Sequence, residues 1–247
     1  MRNKRFTDAI NYLRGIVKSG EDEDYFNEHK ERYAETLSLV PNVAKNLHVL
    51  DVGSGFGHLA ILIKKIFGYE VYALDHYNLW EERFHKHGIR FNLCELTREN
   101  LPFKEGYFDI VLFCEVLEHL FILPHKVLFE IHRVLKPEGL LILTTPNFLS
   151  LYKRIKVLFG KSPFQPVSAR RDAGRAQDHI REYSMDELHL LLQETDFEVI
   201  LARYLQAGGI IRSGEKLDLN PLHIIYRIIA KAYDPFAGSI IMFARKE

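Results

Sequence analysis

His48 to Ala60, HVLDVGSGFGHLA, is the stretch whose reading decides the fold. His48 to Val52 is short and rich in Val and Leu, the composition of a strand buried on both faces. Gly53, Gly55 and Gly57 follow at alternate positions, and LAILIKKIF then takes up a helical period. Strand, glycine turn and helix form a first crossover of the nucleotide-binding kind, in which backbone approaches a ligand closely at a helix N-terminus. The spacing is G-x-G-x-G, not the G-x-G-x-x-G of dinucleotide enzymes. Asp51 stands two residues before the first glycine, at the carboxyl end of the strand, where open α/β sheets place their ligands.

Outward from this crossover the strand–helix alternation continues. YEVYALD (Tyr69 to Asp75) reads as a second strand ending in an acid, and Asp75 lies 18 residues past Gly57. A carboxylate there can accept both ribose hydroxyls of a nucleoside. Tyr77 to Lys86 reads as a short helix and IRFNLCEL (Ile89 to Leu96) as a third strand. The fourth strand falls over Phe108 to Phe113, within LPFKEGYFDIVLFCEVLEHL. An amphipathic helix over Lys126 to Leu135 is stopped by Lys136-Pro137-Glu138-Gly139, and Gly139 to Asn147 gives a fifth strand. Ser184 with Glu187 three residues on is a capping box opening a helix. DFEVILARYL and GSIIMFARK supply the last two strands.

LDVGSGFG resembles the first motif of class I S-adenosylmethionine-dependent methyltransferases, and the LPF…FDIV…EHL block resembles the fourth-strand region of their small-molecule members. The resemblance covers roughly residues 45 to 204. It implies a Rossmann-like, seven-stranded α/β sheet, mostly parallel with an antiparallel last strand, and S-adenosylmethionine as cofactor. Asp51, Gly53, Ser54, Gly55 and Gly57 would then wrap the methionine and ribose portion, with Asp75 and His76 at the ribose. Glu95 is the nearest match to the family's adenine-binding acid, and backbone groups around Glu95 and Leu96 would serve equally. Glu115 completes the implied cofactor set. The implied reaction is methyl transfer to an oxygen of a small-molecule, glycan or lipid-linked acceptor.

The cofactor carries the reactivity in such chemistry, so no covalent nucleophile is required and none is evident. A hydroxyl acceptor does need a base or an acidifying metal. Glu115, Glu118 and His119 form E-x-x-E-H after the fourth strand. If that turn begins a helix, Glu115 shares a face with Glu118 and His119. Two carboxylates and an imidazole suit Mg²⁺, Mn²⁺ or Zn²⁺. The motif resembles that of small-RNA 3′-end 2′-O-methyltransferases and ubiquinone-pathway O-methyltransferases. In the small-RNA family a further histidine comes from D-H-x-x-E-[WYF], which Asp178-His179-Ile180-Arg181-Glu182-Tyr183 fits, making His179 the fourth candidate ligand. Related proteins carry E-H-L without metal, and His119 or His179 then becomes the general-base candidate.

The 247 residues suffice for a sizeable core, and 47% hydrophobic with 27% charged residues reads as globular. Lys+Arg and Asp+Glu are both 33, so no global field draws the chain to nucleic acid; an RNA-modifying enzyme stays a rival with little electrostatic support. Cys94 and Cys114 fall in apolar runs, and MRNKRFTDAINYLRG lacks a signal-peptide core; together they point to a cytoplasmic protein.

The expected organisation is a single domain over 1–247. A helical cap occupies 1–44, a cofactor-binding half 45–147, a substrate lid 148–183 and a C-terminal half 184–247. The cap reads as two helices broken near Ser19-Gly20, with Tyr25 and Tyr33 either packing on the sheet edge or touching substrate. Seven basic residues from Lys153 to Arg175 (Lys153, Arg154, Lys156, Lys161, Arg170, Arg171, Arg175) face one acid, Asp172. The first part reads as an amphipathic helix and Pro163, Pro166 and Gly174 as loop. The segment is either a solvated cap edge or a basic collar for an anionic substrate. A second basic amphipathic helix over 220–234 adds the expectation of peripheral membrane contact. A non-catalytic adenosylmethionine-binding module is the remaining rival.

Overall fold

The computed structural model describes residues 2–121, 123–164, 179–205, 229 and 232–247. The apolar runs become the strands β1 (His48–Val52), β2 (Glu70–Asp75), β3 (Arg90–Leu93), β4 (Phe108–Cys114), β5 (Leu135–Pro146), β6 (Phe197–Leu205) and β7 (Ser239–Lys246). They form one sheet in the order β3-β2-β1-β4-β5-β7-β6. The first five strands are parallel, and β7 inserts antiparallel between β5 and β6. This is the Rossmann-like α/β sheet implied by the sequence.

The helices are α1 (Arg2–Ile16), α2 (Glu21–Leu39), α3 (His58–Phe67), α4 (Glu81–Lys86), α5 (Pro124–Val134), α6 (Leu151–Leu158) and α7 (Met185–Gln193). Period-two alternation divides the central strands between two layers. Leu50, Val52, Val111 and Phe113 pack with Leu128 and Ile131 of α5 and Leu188 of α7. Val49, Ile110, Leu112 and Ile142 pack with Ile61 and Leu62 of α3, beneath Leu13, Phe26 and Leu37 of the cap. The capping box at Ser184 forms: its Oγ accepts the Glu187 N–H, and the Glu187 carboxylate accepts the Ser184 N–H.

Strand order fixes where a ligand can enter. From β1 the chain winds outward to β2 and β3, then crosses to β4 on the other side of β1. Connections leaving β1 and β4 therefore diverge, and a crevice opens beyond their carboxyl ends.

The cap is bound to this edge by polar contacts as well as apolar packing. Asp22, buried at the start of α2, accepts hydrogen bonds from the Lys18 N–H at 2.7 Å and from Arg83 of α4 at 2.7 and 3.2 Å. Its other partner is His58 Nε2 at 2.7 Å, and His58 Nδ1 meets the Tyr33 hydroxyl at 2.9 Å. Arg83 also donates to the carbonyls of Ile16 and Phe56, tying the α1–α2 junction to the glycine turn.

Three local expectations change. The third strand is shorter, Arg90–Leu93, and Glu95 lies beyond it. The fifth begins at Leu135 rather than Gly139: Leu135 pairs with Phe108, and register resumes at Ile110 with Leu140. Lys136-Pro137-Glu138-Gly139 ends the helix as read but is an irregularity inside the strand, with Glu138 at φ 61°. The first basic amphipathic segment is the helix α6, none of whose side chains is buried. Arg170, Arg171, Arg175, Asp172, Pro166, Gly174 and Asp178 lie outside the described residues, as does most of the second amphipathic helix read over 220–234. No described helix is long and apolar enough to cross a membrane.

Burial works to raise the Asp22 carboxyl pKa, but hydrogen bonds from His58 and Arg83 hold it well below the usual carboxylate range. A depressed folded pKa gives stability that is present above the unfolded value and lost as pH falls. Asp22→Ala should cost about 3–5 kcal/mol at neutral pH, because Arg83 is left buried without its partner. Urea melts of the variant should also show a smaller acid-induced loss below pH 4 than the wild type.

Candidate active site at the carboxyl edge of the sheet

The glycine turn is locked to the end of β2. Gly53 and Ser54 donate their N–H groups to the Leu74 carbonyl at 2.8 and 3.0 Å. Gly53 and Gly57, at φ 71° and 79°, admit no side chain. A Cβ would lie 2.3 Å from Val116 Cγ2 at the first and 2.5 Å from Phe84 Cε1 at the second. Gly55 has no such neighbour, and its N–H donates to Asp75 Oδ2 at 2.8 Å. Asp75 Oδ1 accepts the Tyr77 N–H and faces His76 Nδ1 at 3.0 Å, a bond that raises the His76 pKa. The structure thus brings Gly55, Asp75 and His76 together beside the turn.

Asp51 lies on the same strand face as Val49, beneath α3. It is buried and accepts the Ala60 N–H, so it satisfies a donor in the first turn of α3 that the side-chain-less N-cap Gly57 cannot reach. Burial, with Asp75 adding a like charge, pushes its carboxyl up to about 7.

Helix α2 roofs the turn. Tyr25, Arg32 and Tyr33 line a half-open cleft of about 310 Å³, mouth included, whose floor includes Asp51, Gly53 and Ser54. Tyr33 is a packed core residue bonded to His58, whereas Tyr25 faces the cleft. Arg32 was not singled out by the sequence reading. It is buried and pairs with Glu115 Oε2 at 2.8 Å. Burial opposes its charge, yet the Glu115 carboxylate lifts the guanidinium pKa above its ordinary value. Its position seven residues after Tyr25, on one face of an amphipathic helix, was the available signal.

Beyond β4 the expected helical face does not form. Glu115 sits at φ 56°, and only a 3₁₀ turn, Leu117–His119, follows. Glu115 therefore turns toward α2, while Glu118 turns beneath β5. Glu118 is fully buried, and its Oε2 accepts the Thr145 hydroxyl at 3.1 Å. Burial, reinforced by Glu115, raises its pKa well above the ordinary carboxylate value. His119 Nε2 lies 4.0 Å from Glu118 Oε1, and the rings of His119 and His179 meet edge to face at 5.1 Å. The Glu118 carbonyl accepts the N–H groups of Ile180 and Arg181, which holds the His179 segment against β4. Of the four residues read as metal ligands, Glu118, His119 and His179 have candidate ligand atoms within 4.8 Å of one another, and Glu115 is not among them.

Glu182 bonds His179 Nδ1 at 2.8 Å through Oε1 and pairs with Lys153 of α6 through Oε2. Burial lowers the Lys153 pKa to about 8. The carboxylate fixes the orientation of the imidazole through Nδ1. Two ligands about 2.1 Å from one ion stand at most roughly 4.2 Å apart, so 4.8 Å asks only for small rotamer changes. The donor set fits a divalent ion of borderline hardness. Glu95 lies apart from this cluster: its carboxylate accepts both the N–H and hydroxyl of Thr97, and its own N–H donates to Glu99. Leu96 packs partly buried against the core.

Residues 50–143 match the family model described as a methyltransferase domain. Over 116 residues the chain is 34% identical to the ubiquinone/menaquinone biosynthesis C-methyltransferase UbiE of Blochmanniella pennsylvanica, covering 42% of this chain and 45% of that one. Over 111 residues it is 33% identical to the ubiquinone biosynthesis O-methyltransferase of Roseobacter denitrificans, covering 43% and 44%. The solved S-adenosylmethionine-dependent methyltransferase of Archaeoglobus fulgidus shares the fold, with a TM-score of 0.59 at 18% identity over 90% of this chain and 99% of that one. The chain spans about half the length of the curated relatives it matches. Residues 50–143 thus carry a methyltransferase-domain match, and the sheet order with its glycine turn is the fold shared with solved S-adenosylmethionine-dependent methyltransferases.

The raised Asp51 pKa has a testable sign. An acid whose folded pKa exceeds its unfolded value gives stability that is full below the unfolded pKa and lost as pH rises through the folded one. Asp51→Asn cannot ionise, so it should gain on the wild type between pH 5 and pH 8, by about 2–3 kcal/mol over the roughly two units that separate pH 5 from the folded pKa. Denaturant melts at the two pH values read this difference; a constant gap would assign Asp51 an ordinary pKa.

Proposed function

We propose that this chain transfers the methyl group of S-adenosylmethionine to an oxygen of a small-molecule, glycan or lipid-linked acceptor. The observation that carries the reading is a glycine cradle beyond β1 and an imidazole cluster beyond the neighbouring β4, both at the carboxyl edge of the sheet. Gly53, Ser54, Gly55 and Gly57, with Asp51, Asp75 and His76, hold the cofactor; Glu95 and Leu96 serve its adenine edge. Bound there, the cofactor supplies an electrophilic methyl on a sulfonium. His119 and His179, across the crevice on the β4 side, face the acceptor. His179, oriented by Glu182, takes the hydroxyl proton on Nε2, and the roof formed by α2 excludes water.

A divalent ion held by Glu118, His119 and His179 would acidify the same hydroxyl. That variant is supported by the spacing of their ligand atoms and by the Glu182 carboxylate behind His179. The free 2′-hydroxyl at an RNA end is the second acceptor class, favoured by the His179–Glu182 pair falling where the D-H-x-x-E pattern puts it. Exposed Leu158 and Phe159 at the end of the basic helix α6 favour a lipid-linked acceptor over RNA. All of these readings treat 1–247 as one catalytic unit.

Isothermal titration should show micromolar binding of S-adenosylhomocysteine, and no heat would end the proposal. Methyl-tritiated S-adenosylmethionine offered with hydroxylated aromatics, oligosaccharides, polyprenyl-linked sugars and short RNAs identifies the acceptor class. His179→Ala and Glu118→Ala should each lower transfer by about 100-fold or more while cofactor binding persists. Activity lost to EDTA and restored by Mg²⁺, Mn²⁺ or Zn²⁺ assigns the metal; activity indifferent to EDTA leaves His179 as the base. Binding without transfer to any acceptor would mark a non-catalytic module.

A further inference from the structure

The cations of helix α6 do not share one fate. Arg154 and Lys156 bond the carbonyls of Leu149 and Phe164 at the surface. Lys153 turns inward: its side chain is 14% exposed, Nζ donates to the Asn147 carbonyl at 3.2 Å, and the same ammonium pairs with Glu182 Oε2. Asn147, just past β5, bridges to Tyr183, and the Phe148 N–H donates to the Tyr183 carbonyl at 3.0 Å. Lys153 therefore spans the joint at which the chain leaving β5 meets the segment that carries His179. Burying an ammonium is costly unless it finds a counter-charge. Burial works against the Lys153 charge, as does Lys156, while Glu118 and Glu115 favour it. No side chain of α6 belongs to the hydrophobic core, so packing alone does not account for an inward lysine.

Glu182 is the centre of the arrangement. Its side chain is 3% exposed and gives one oxygen to each of two partners, Oε1 to His179 Nδ1 at 2.8 Å and Oε2 to Lys153. A carboxylate anchored at one oxygen still turns about its terminal torsion, which is broad; anchored at both, it is held. As the ion-pair partner of an ammonium it has no proton to give, so the nitrogen it meets is the donor. A neutral imidazole carries one proton, which then stands on Nδ1 and leaves the lone pair on Nε2. The backbone does not make this choice: the Ile180 and Arg181 N–H groups tie the segment to the Glu118 carbonyl whichever tautomer the ring adopts. We infer that Lys153 is a positioning residue for the acceptor-side imidazole, fixing the Glu182 carboxylate so that the proton of neutral His179 stays on Nδ1. This rests on the proposed reading of His179 as the group that meets the acceptor hydroxyl, and deepens it. The imidazole is then set only where α6 is seated against it.

The test reads the ring directly, by NMR of protein labelled at its histidine ring nitrogens, with EDTA present so that no ion chooses the tautomer. Nitrogen shifts separate Nδ1–H from Nε2–H, and the signals lost in His179→Gln assign the residue. At about pH 7.5, where an ordinary imidazole is mostly neutral, the wild type should show Nδ1 of His179 protonated. Lys153→Met keeps most of the apolar stem and removes the charge. Its ratio of Nδ1–H to Nε2–H should fall about tenfold, the scale of a hydrogen bond to a charged group. Lys153→Arg retains the counter-charge and should stay within about threefold of the wild type. A wild-type Nε2–H tautomer or an unmoved ratio in Lys153→Met would overturn the inference. So would an equal fall in Lys153→Met and Lys153→Arg, which assigns the effect to packing. If Lys153→Met does not fold, Lys153→Gln carries the same comparison. Transfer unaltered in His179→Ala would remove the acceptor-side reading and the part of Lys153 in it, whereas an unmoved tautomer removes this inference alone.

Discussion

Four carboxylates, Asp51, Asp75, Glu115 and Glu118, gather at the carboxyl ends of neighbouring parallel strands, and their charge has to be absorbed before the edge can close. Each is handled differently. Asp51 takes an N–H from α3 and, through burial, shifts toward the neutral acid. Asp75 accepts backbone N–H groups and pairs with His76. Glu115 meets Arg32, and Glu118 is driven toward protonation beside the Thr145 hydroxyl. The layout of the site follows from these solutions. The carboxylate that finds a guanidinium turns toward α2; the one that finds none is buried beside the imidazoles.

That division gives the crevice two walls of different chemistry. On the β1–β2 side the groups are backbone amides and the carboxyl groups of Asp51 and Asp75, suited to hydrogen bonding with hydroxyls. On the β4–β5 side they are imidazoles backed by a neutral acid and by the Glu182–Lys153 pair, suited to moving a proton or holding an ion. Low solvent access strengthens the interactions of both walls.

Much of this was legible in the sequence because it is written in short-range patterns. The glycine triplet, the acid closing β2 and the alternation of Phe108 to Cys114 each fix local backbone, and parallel-sheet topology leaves few ways to assemble them. His179 and Glu182 could be placed near His119 only through a family pattern, since nothing local links residues sixty positions apart. The face shared by Glu115 and Glu118 was misread because it presumed a helix. The left-handed Glu115 breaks the turn, and a counter-charge on a distant helix decides which way the side chain goes. Arg32 was passed over for the same reason: within α2 it reads as one more charge in a charged helix, and only tertiary contact separates it from the solvated ones.

The Tyr33–His58–Asp22–Arg83 chain carries a consequence for how such proteins diversify. A hydrophobic seam tolerates exchange of one covering helix for another of similar shape, since burial is not directional. A hydrogen-bonded seam does not, because a foreign cap would strand His58 and Arg83 as unanswered polar groups in the interior. Recombination at this joint would have to carry residues from α2, α3 and α4 together. The N-terminal helices and the glycine turn are thus exchangeable only as one unit.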